Sequence, residues 1–274
     1  MHGARDILKL LKKGDNKWDV NNYNYSKIVT ELLEKDLEVI KALDNIGDGE
    51  LSAIGIIVQH QDLVRDYQPR ELAKDFYESV MYGFCMINYE EMRHGFILKE
   101  LASQAIKRES FVDNVDGSLI HELMFETNKL YKNPYESLMS YLLGEITNVE
   151  LYASIESKVE NEDLKNIVKQ IRKDEQVHKG AWLKIIKGMV EANEIHRENF
   201  IDATKAIHFV HQAEVSDYFK NGAQSVEKFF TPSVSKFILE EKYKILGDIF
   251  GESPIDKRQM LQEHLEYFNE NFVA

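Results

Sequence analysis

The chain has 274 residues, 43% of them hydrophobic and 30% charged, with a formal net charge of −13 and a single cysteine, Cys85. That length is enough to bury a substantial core in one domain spanning 1–274. The acidic surface opposes binding to nucleic acid or an anionic membrane, and one cysteine excludes an internal disulfide framework, a four-cysteine zinc site and a rubredoxin-type iron centre.

Helical periodicity runs through most of the sequence. The predicted helices are 4–12, 25–45, 48–67, 70–108, 117–131, 135–159, 163–191, 196–221, 232–249 and 255–271. No strand alternation interrupts them. The breaks fall at Gln68-Pro69, Asp113 to Gly117, Asn133-Pro134, Thr231-Pro232 and Glu252-Ser253-Pro254, where proline or glycine punctuates the pattern. The expected fold is all-α, with four long helices in the middle and shorter ones around them. No run of 18 apolar residues and no apolar leader is seen, so neither a membrane span nor export is expected. A reduced, cytoplasmic compartment is the default that follows.

Inside two of the long helices lie two Glu-x-x-His pairs, Glu91/His94 and Glu175/His178. Residues three apart project from nearly the same helix face, so a carboxylate and an imidazole at that spacing can reach one metal ion. One such pair is expected about once by chance in a chain this rich in Glu and His. Two pairs with no others, both on apolar stripes, are a stronger signal. The first stripe runs Val80, Phe84, Ile87, Glu91, His94, Leu98, Leu101, and the second Leu164, Val168, Ile171, Glu175, His178, Trp182, Ile185, Met189. An ionised carboxylate in such a place is costly unless a cation or strong hydrogen bonds compensate.

Each pair has a partner acid on the neighbouring helix. Two antiparallel helices joined at Pro69 bring residues equally far from the turn to one height. Glu50 lies 19 residues before Pro69 and Glu91 lies 22 after it, whereas the competing Asp62, seven before, would miss that level by roughly 20 Å. Glu50 also falls on the stripe Leu43, Ile46, Glu50, Ile54, Ile57, Gln61, Val64, with Gly47 and Gly49 beside it. About the second turn, near Asn161, Glu145 is level with Glu175 and lies on the stripe Leu138, Leu142, Glu145, Val149, Tyr152. Glu150 is rotated roughly 140° away and reads as solvated. Of the other histidines, His60, His121, His196 and His264 read as surface residues, and His208 and His211, with Glu214, as solvated or capping. Cys85 reads as a buried, inert thiol.

The order Glu50, Glu91-x-x-His94, Glu145, Glu175-x-x-His178 resembles the ferritin-like di-iron carboxylate proteins over roughly residues 40–190. INYEEMRHG resembles the second-helix motif of the benzoyl-CoA epoxidase and phenylacetyl-CoA monooxygenase group. GEITNVELY and IRKDEQVHKGAW resemble the third and fourth helices of acyl carrier protein desaturases. The resemblance implies a ferritin-like bundle with additional N- and C-terminal helices. It also implies two iron ions (manganese also fits) held by Glu50, Glu91, His94, Glu145, Glu175 and His178, with Glu91 and Glu175 bridging. Asp174 would hydrogen-bond a ligand histidine across the bundle. The implied activity is that of an O2-dependent monooxygenase or desaturase acting on a largely apolar substrate, including a thioester-linked acyl group. A separate reductase or ferredoxin would supply electrons, and a homodimer face is a further expectation. Phe84, Ile87, Tyr141, Leu142 and Trp182 are placed to line the substrate cavity. Three departures narrow the chemistry: Ile171 stands where arylamine N-oxygenases carry a third histidine, Leu98 where ribonucleotide reductase carries its radical tyrosine, and Asn148 and Val149 where the desaturases have a threonine. The rival reading is a ferroxidase or peroxide scavenger, against which the roughly hundred residues after the second motif weigh.

Overall fold

The structure, a computed structural model, describes residues 23–67, 70–114, 131–207, 228, 229 and 231–262. The described residues are helical, with no strand among them. In chain order the helices are α1 (Tyr25–Thr30), α2 (Glu34–Asp66), α3 (Arg70–Ala102), α4 (Phe111–Asn114), α5 (Pro134–Glu156), α6 (Glu162–Ala192), α7 (194–207) and α8 (Pro232–Phe250). A further helical stretch begins at 257. A π-helical turn, Ser103–Lys107, extends α3. The predicted segments 4–12 and 117–131 lie outside the described residues, as do the later parts of 196–221 and 255–271.

Capping explains where the long helices begin. Asn161 Oδ1 accepts the Leu164 N–H at 2.9 Å to start α6, and Asn133 Oδ1 accepts from Tyr135 and Glu136 at the start of α5, where Pro134 occupies the first turn. Thr231 and Pro232 do the same for α8. The predicted break between 45 and 48 does not occur: α2 runs unbroken through Gly47 and Gly49 for 33 residues. A helical glycine costs about 1 kcal/mol, which tertiary packing overrides. Here that packing needs the missing side chains, since a Cβ on Gly47 would meet Leu98 Cβ at 3.2 Å.

The helices α2 and α3 form one antiparallel hairpin, α5 and α6 the other, and α3 against α6 and α2 against α5 complete the ferritin-like four-helix core. The last described long helix, α8, lies over α5 and α6. Two ties set the relative height of the hairpins. At one end buried Asp36 accepts the backbone N–H of Leu33 at the start of α2 and also those of Glu160 (2.9 Å) and Asn161 (3.4 Å) in the α5–α6 turn. At the other end Tyr67 meets Tyr135 edge-on at 5.5 Å, and His60 Nδ1 lies 3.0 Å from Ser137 Oγ.

The apolar core is split in two. One cluster, towards the Pro69 end, contains Phe84, Ile87, Leu138, Leu142, Trp182 and Ile185. The other, towards the α5–α6 turn, contains Leu43, Leu98, Leu101, Tyr152, Ile167 and Ile171. Between them lies a belt of charged side chains.

Candidate metal centre

The belt consists of the six residues that the spacing argument selected. Glu50 on α2, Glu91 and His94 on α3, Glu145 on α5 and Glu175 and His178 on α6 are all buried. Their donor atoms form two groups, Glu50/Glu91/His94/Glu175 and Glu91/Glu145/Glu175/His178, and within each group the atoms lie within 4.8 Å of one another. Glu91 and Glu175 belong to both. Asp62 is elsewhere, paired with Arg65 at 2.9 Å, and Glu50 is the acid of α2 that stands with the other donors. Close approach of the α2–α3 pair at this level requires Gly95, where a Cβ would lie 2.7 Å from Leu51 Cγ and 3.0 Å from the Leu51 backbone nitrogen.

Both imidazoles turn the same nitrogen inward. His94 Nδ1 lies 3.0 Å from Glu175 Oε1 and 3.7 Å from Glu91 Oε2, while His178 Nδ1 lies 2.7 Å from Glu91 Oε1 and 3.9 Å from Glu145 Oε1. The rings are nearly parallel, with centroids 5.9 Å apart. Each Nε2 faces an outer carboxylate: His94 Nε2 is 3.2 Å from Asp174 Oδ2, and His178 Nε2 is 2.6 Å from Glu90 Oε2. The arrangement is reciprocal. Asp174 precedes Glu175 yet serves the histidine of the other motif, and Glu90 precedes Glu91 and does the same in return. Such outer acids fix the ring orientation and raise the basicity of the inward nitrogen. Arg93 lies between them, donating to Asp174 at 3.2 Å and standing 3.9 Å from Glu90.

Two further contacts hold the carboxylates. Tyr152 donates its hydroxyl to Glu50 Oε1 at 2.5 Å, and Asn148 Nδ2 donates to Glu175 Oε2 at 3.4 Å. Thr147 is not involved, its hydroxyl being returned to the Leu143 carbonyl. Glu90, Arg93 and Tyr152 were not singled out from the sequence. For Glu90 the signal was present, because it occupies the same offset before its motif as Asp174 does.

Burial, reinforced by the charges of Glu91 and Glu175, pushes the Glu50 and Glu145 carboxyls well above the usual carboxylate range. For Glu91 burial acts in the same direction but is overcome by hydrogen bonds and by the charge of His178, which hold it well below that range. The histidines are also pulled two ways. Burial opposes their protonation, yet the surrounding carboxylates win, raising His94 well above its ordinary value and His178 to about 10. Four acids and two imidazoles thus compete for protons in a buried space.

The donor set fits two metal ions on two observations. Glu91 Oε1, Glu145 Oε2, Glu175 Oε1 and His178 Nδ1 are buried without a well-directed hydrogen-bond partner among the described residues, although His178 Nδ1 and Glu91 Oε1 stand only 2.7 Å apart. Four carboxylates also balance two divalent charges, and oxygen donors with one imidazole each suit iron or manganese. The two donor groups that the resemblance implies are therefore assembled in three dimensions. Nothing in the site distinguishes the subgroups that the motifs resemble.

Elsewhere the structure corrects the sequence reading. His60 and His196 are buried rather than on the surface. Either Gln61 or His60 could continue the α2 stripe from Ile57 to Val64, and the inward position is His60, leaving Gln61 exposed. His196 accepts or donates at 3.0 Å to the Tyr135 hydroxyl, linking α7 to α5. Cys85 is exposed, on the outer face of α3. His121, His208, His211, Glu214 and His264 lie outside the described residues. Phe84, Tyr141 and Trp182 form an aromatic layer, with Ile87 and Leu142 in the same cluster.

No family model and no curated protein matches the sequence. Solved structures to which the chain is similar are R2-like ligand-binding oxidases. A V72L mutant with aerobically reconstituted Mn/Fe cofactor has a TM-score of 0.49 at 15% identity, covering 97% of this chain and 91% of that one. The same oxidase with a metal cofactor after photoconversion has a TM-score of 0.49 at 14% identity over the same shares.

Proposed function

We propose that the protein is an O2-dependent oxidoreductase with a dinuclear non-haem centre of iron, or of iron and manganese. Its substrate would be a largely apolar organic molecule, with a thioester-linked acyl group within that class, and the reaction oxygen insertion or hydrogen removal at a C–H or C=C bond. The carrying observation is the pair of buried donor groups that share Glu91 and Glu175. Glu91 and Glu175 would bridge the ions, Glu50 and Glu145 would be terminal ligands, and His94 and His178 would give one nitrogen to each ion. When bound, such a pair supplies two-electron redox chemistry with O2.

The chain's own residues do the rest. Glu90 and Asp174 hold the imidazoles so that the Nδ1 lone pairs face inward. Tyr152 holds Glu50 and Asn148 holds Glu175, which restricts how far either carboxylate can swing. The apolar clusters on both sides exclude water. Electrons would come from a separate reductase or ferredoxin. A homodimer and a cytoplasmic location complete the reading; no described helix is long and apolar enough to cross a membrane.

The test is metal content followed by O2 consumption. Protein produced with iron should hold two ions per chain, and Glu91→Ala should lose them, because Glu91 belongs to both donor groups. Reduced protein should then consume O2 without building a mineral core. Wild type that binds no metal would sink the proposal, and rapid accumulation of ferric mineral would replace it with an iron-handling role.

A further inference from the structure

One turn from the metal belt, on the Pro69 side, the four core helices each place a polar side chain against Phe84. Its ring lies 4.2 Å from His60 (α2), 4.9 Å from Tyr141 (α5) and 4.7 Å from Trp182 (α6), centroid to centroid, and Tyr141 and Trp182 are themselves 5.4 Å apart. Asn88 on α3 stands between this layer and Glu91, its Nδ2 donating to the Phe84 carbonyl at 2.6 Å. His60, Asn88 and Trp182 are buried, and the Tyr141 hydroxyl is buried too. Yet His60 Nε2, Asn88 Oδ1, the Tyr141 hydroxyl and Trp182 Nε1 have no hydrogen-bond partner among the described residues. Tyrosine and tryptophan polar atoms normally find a partner when buried, and each orphan is a destabilising feature. The three in one layer, from α2, α5 and α6, are better explained by a common partner than by three separate faults.

The donor chemistry defines that partner. Trp182 Nε1–H can only donate, the Tyr141 hydroxyl can donate, and His60 Nε2 can do either while Nδ1 faces Ser137. Burial drops the His60 imidazole to about 3, so the ring is neutral. No cation is among the three, and Glu91 and Glu145 are near enough to Tyr141 to act on its hydroxyl electrostatically. An anion would therefore meet no counter-charge. The aromatic walls accept an apolar or unsaturated body.

We propose that His60, Tyr141 and Trp182 form a hydrogen-bonding subsite around Phe84 that takes the uncharged carbonyl-type oxygen of an otherwise apolar substrate and holds it one turn from the metal belt. The inference deepens the oxidoreductase reading, on which it rests for the substrate's entry beside the metals. It adds a substrate class that the donor atoms themselves select: neutral, with one acceptor oxygen, and neither a free acid nor a pure hydrocarbon.

Calorimetric titration with three probes of similar shape tests it: acetophenone, ethylbenzene and benzoate, each against metal-loaded and metal-free protein. Acetophenone should bind at least about tenfold more tightly than either of the others, since two net hydrogen bonds together amount to roughly one decade in affinity. Trp182→Phe and Tyr141→Phe keep an aromatic ring and remove one donor each, so each should cut the preference for acetophenone over ethylbenzene to about threefold while metal content is unchanged. Equal binding of acetophenone and ethylbenzene, no binding of any probe, or the full preference retained in both variants would overturn the subsite. Failure of metal loading would instead strike the oxidoreductase reading, and the metal-free titration would still decide the subsite.

Discussion

The two halves of the bundle on either side of the metal belt are built differently. Towards the α5–α6 turn the core is mainly aliphatic, and its buried tyrosine at the belt, Tyr152, spends its hydroxyl on Glu50. Towards Pro69 the core next to the belt is aromatic and leaves one polar atom each of His60, Asn88, Tyr141 and Trp182 without a hydrogen bond among the described residues. A half whose belt-side tyrosine is paired is a foundation, and a half whose belt-side aromatic layer leaves donors unpaired is a receptor. The contrast separates what stabilises the protein from what recognises a ligand, although the same four helices run through both.

The largest expected effect is on the belt between the halves. Glu175→Ala removes a residue common to both donor groups and should abolish metal binding, whereas Glu145→Ala touches only the His178 group and should leave about one ion per chain. Metal analysis of both variants checks this; equal losses would mean that the two groups are not separate sites. Next in size, Leu98→Ala in the aliphatic half should cost about 2–5 kcal/mol in chemical denaturation, because the side chain is fully buried and its neighbours cannot collapse into the cavity. Trp182→Phe in the other half, a smaller change of volume that also removes an unpaired donor, should cost less than about 1.5 kcal/mol. The reverse order would dissolve the distinction between foundation and receptor.

Tyr152→Phe should destabilise the metal-free protein by roughly 1–3 kcal/mol, since buried Glu50 loses its donor. With metal bound the cost should be smaller, which thermal melts with and without metal would reveal. The remaining effects are those of pH, and they have opposite signs in the belt and in the aromatic half. His178 is raised from 6.5 to about 10 by its carboxylates, so the stability it contributes to the metal-free protein is complete below pH 6.5 and is lost as pH rises towards 10. Bound metal should remove that alkaline loss, because it takes the place of the protons. His60 is lowered to about 3, so its contribution is complete above pH 6.5 and is lost as pH falls towards 3. His60→Gln should blunt the acid limb of a stability profile and leave the alkaline limb alone.

The sequence made the belt legible because its six residues interrupt apolar stripes at level heights, two constraints that need only helical geometry. Asp174 came from family resemblance, and Glu90, at the identical offset, went unread. Tyr152 was on its stripe, yet its partner Glu50 sits on a helix 102 residues away, a pairing that depends on interhelical depth rather than on periodicity. His60 escaped for another reason. Steps of three and four are interchangeable between Ile57 and Val64, and nothing local favours an inward imidazole over an inward Gln61. The continuity of α2 was hidden because two glycines in one turn read as a break until their neighbour Leu98 is known.

The exchange of outer acids between the two motifs has a consequence for assembly. Because Glu90 serves His178 and Asp174 serves His94, neither hairpin carries a complete coordination unit. Slipping one hairpin by a single residue against the other would misalign both imidazoles at once. Metal binding would therefore report the register of the two hairpins: a correctly registered bundle could fill both positions, and a misregistered one neither.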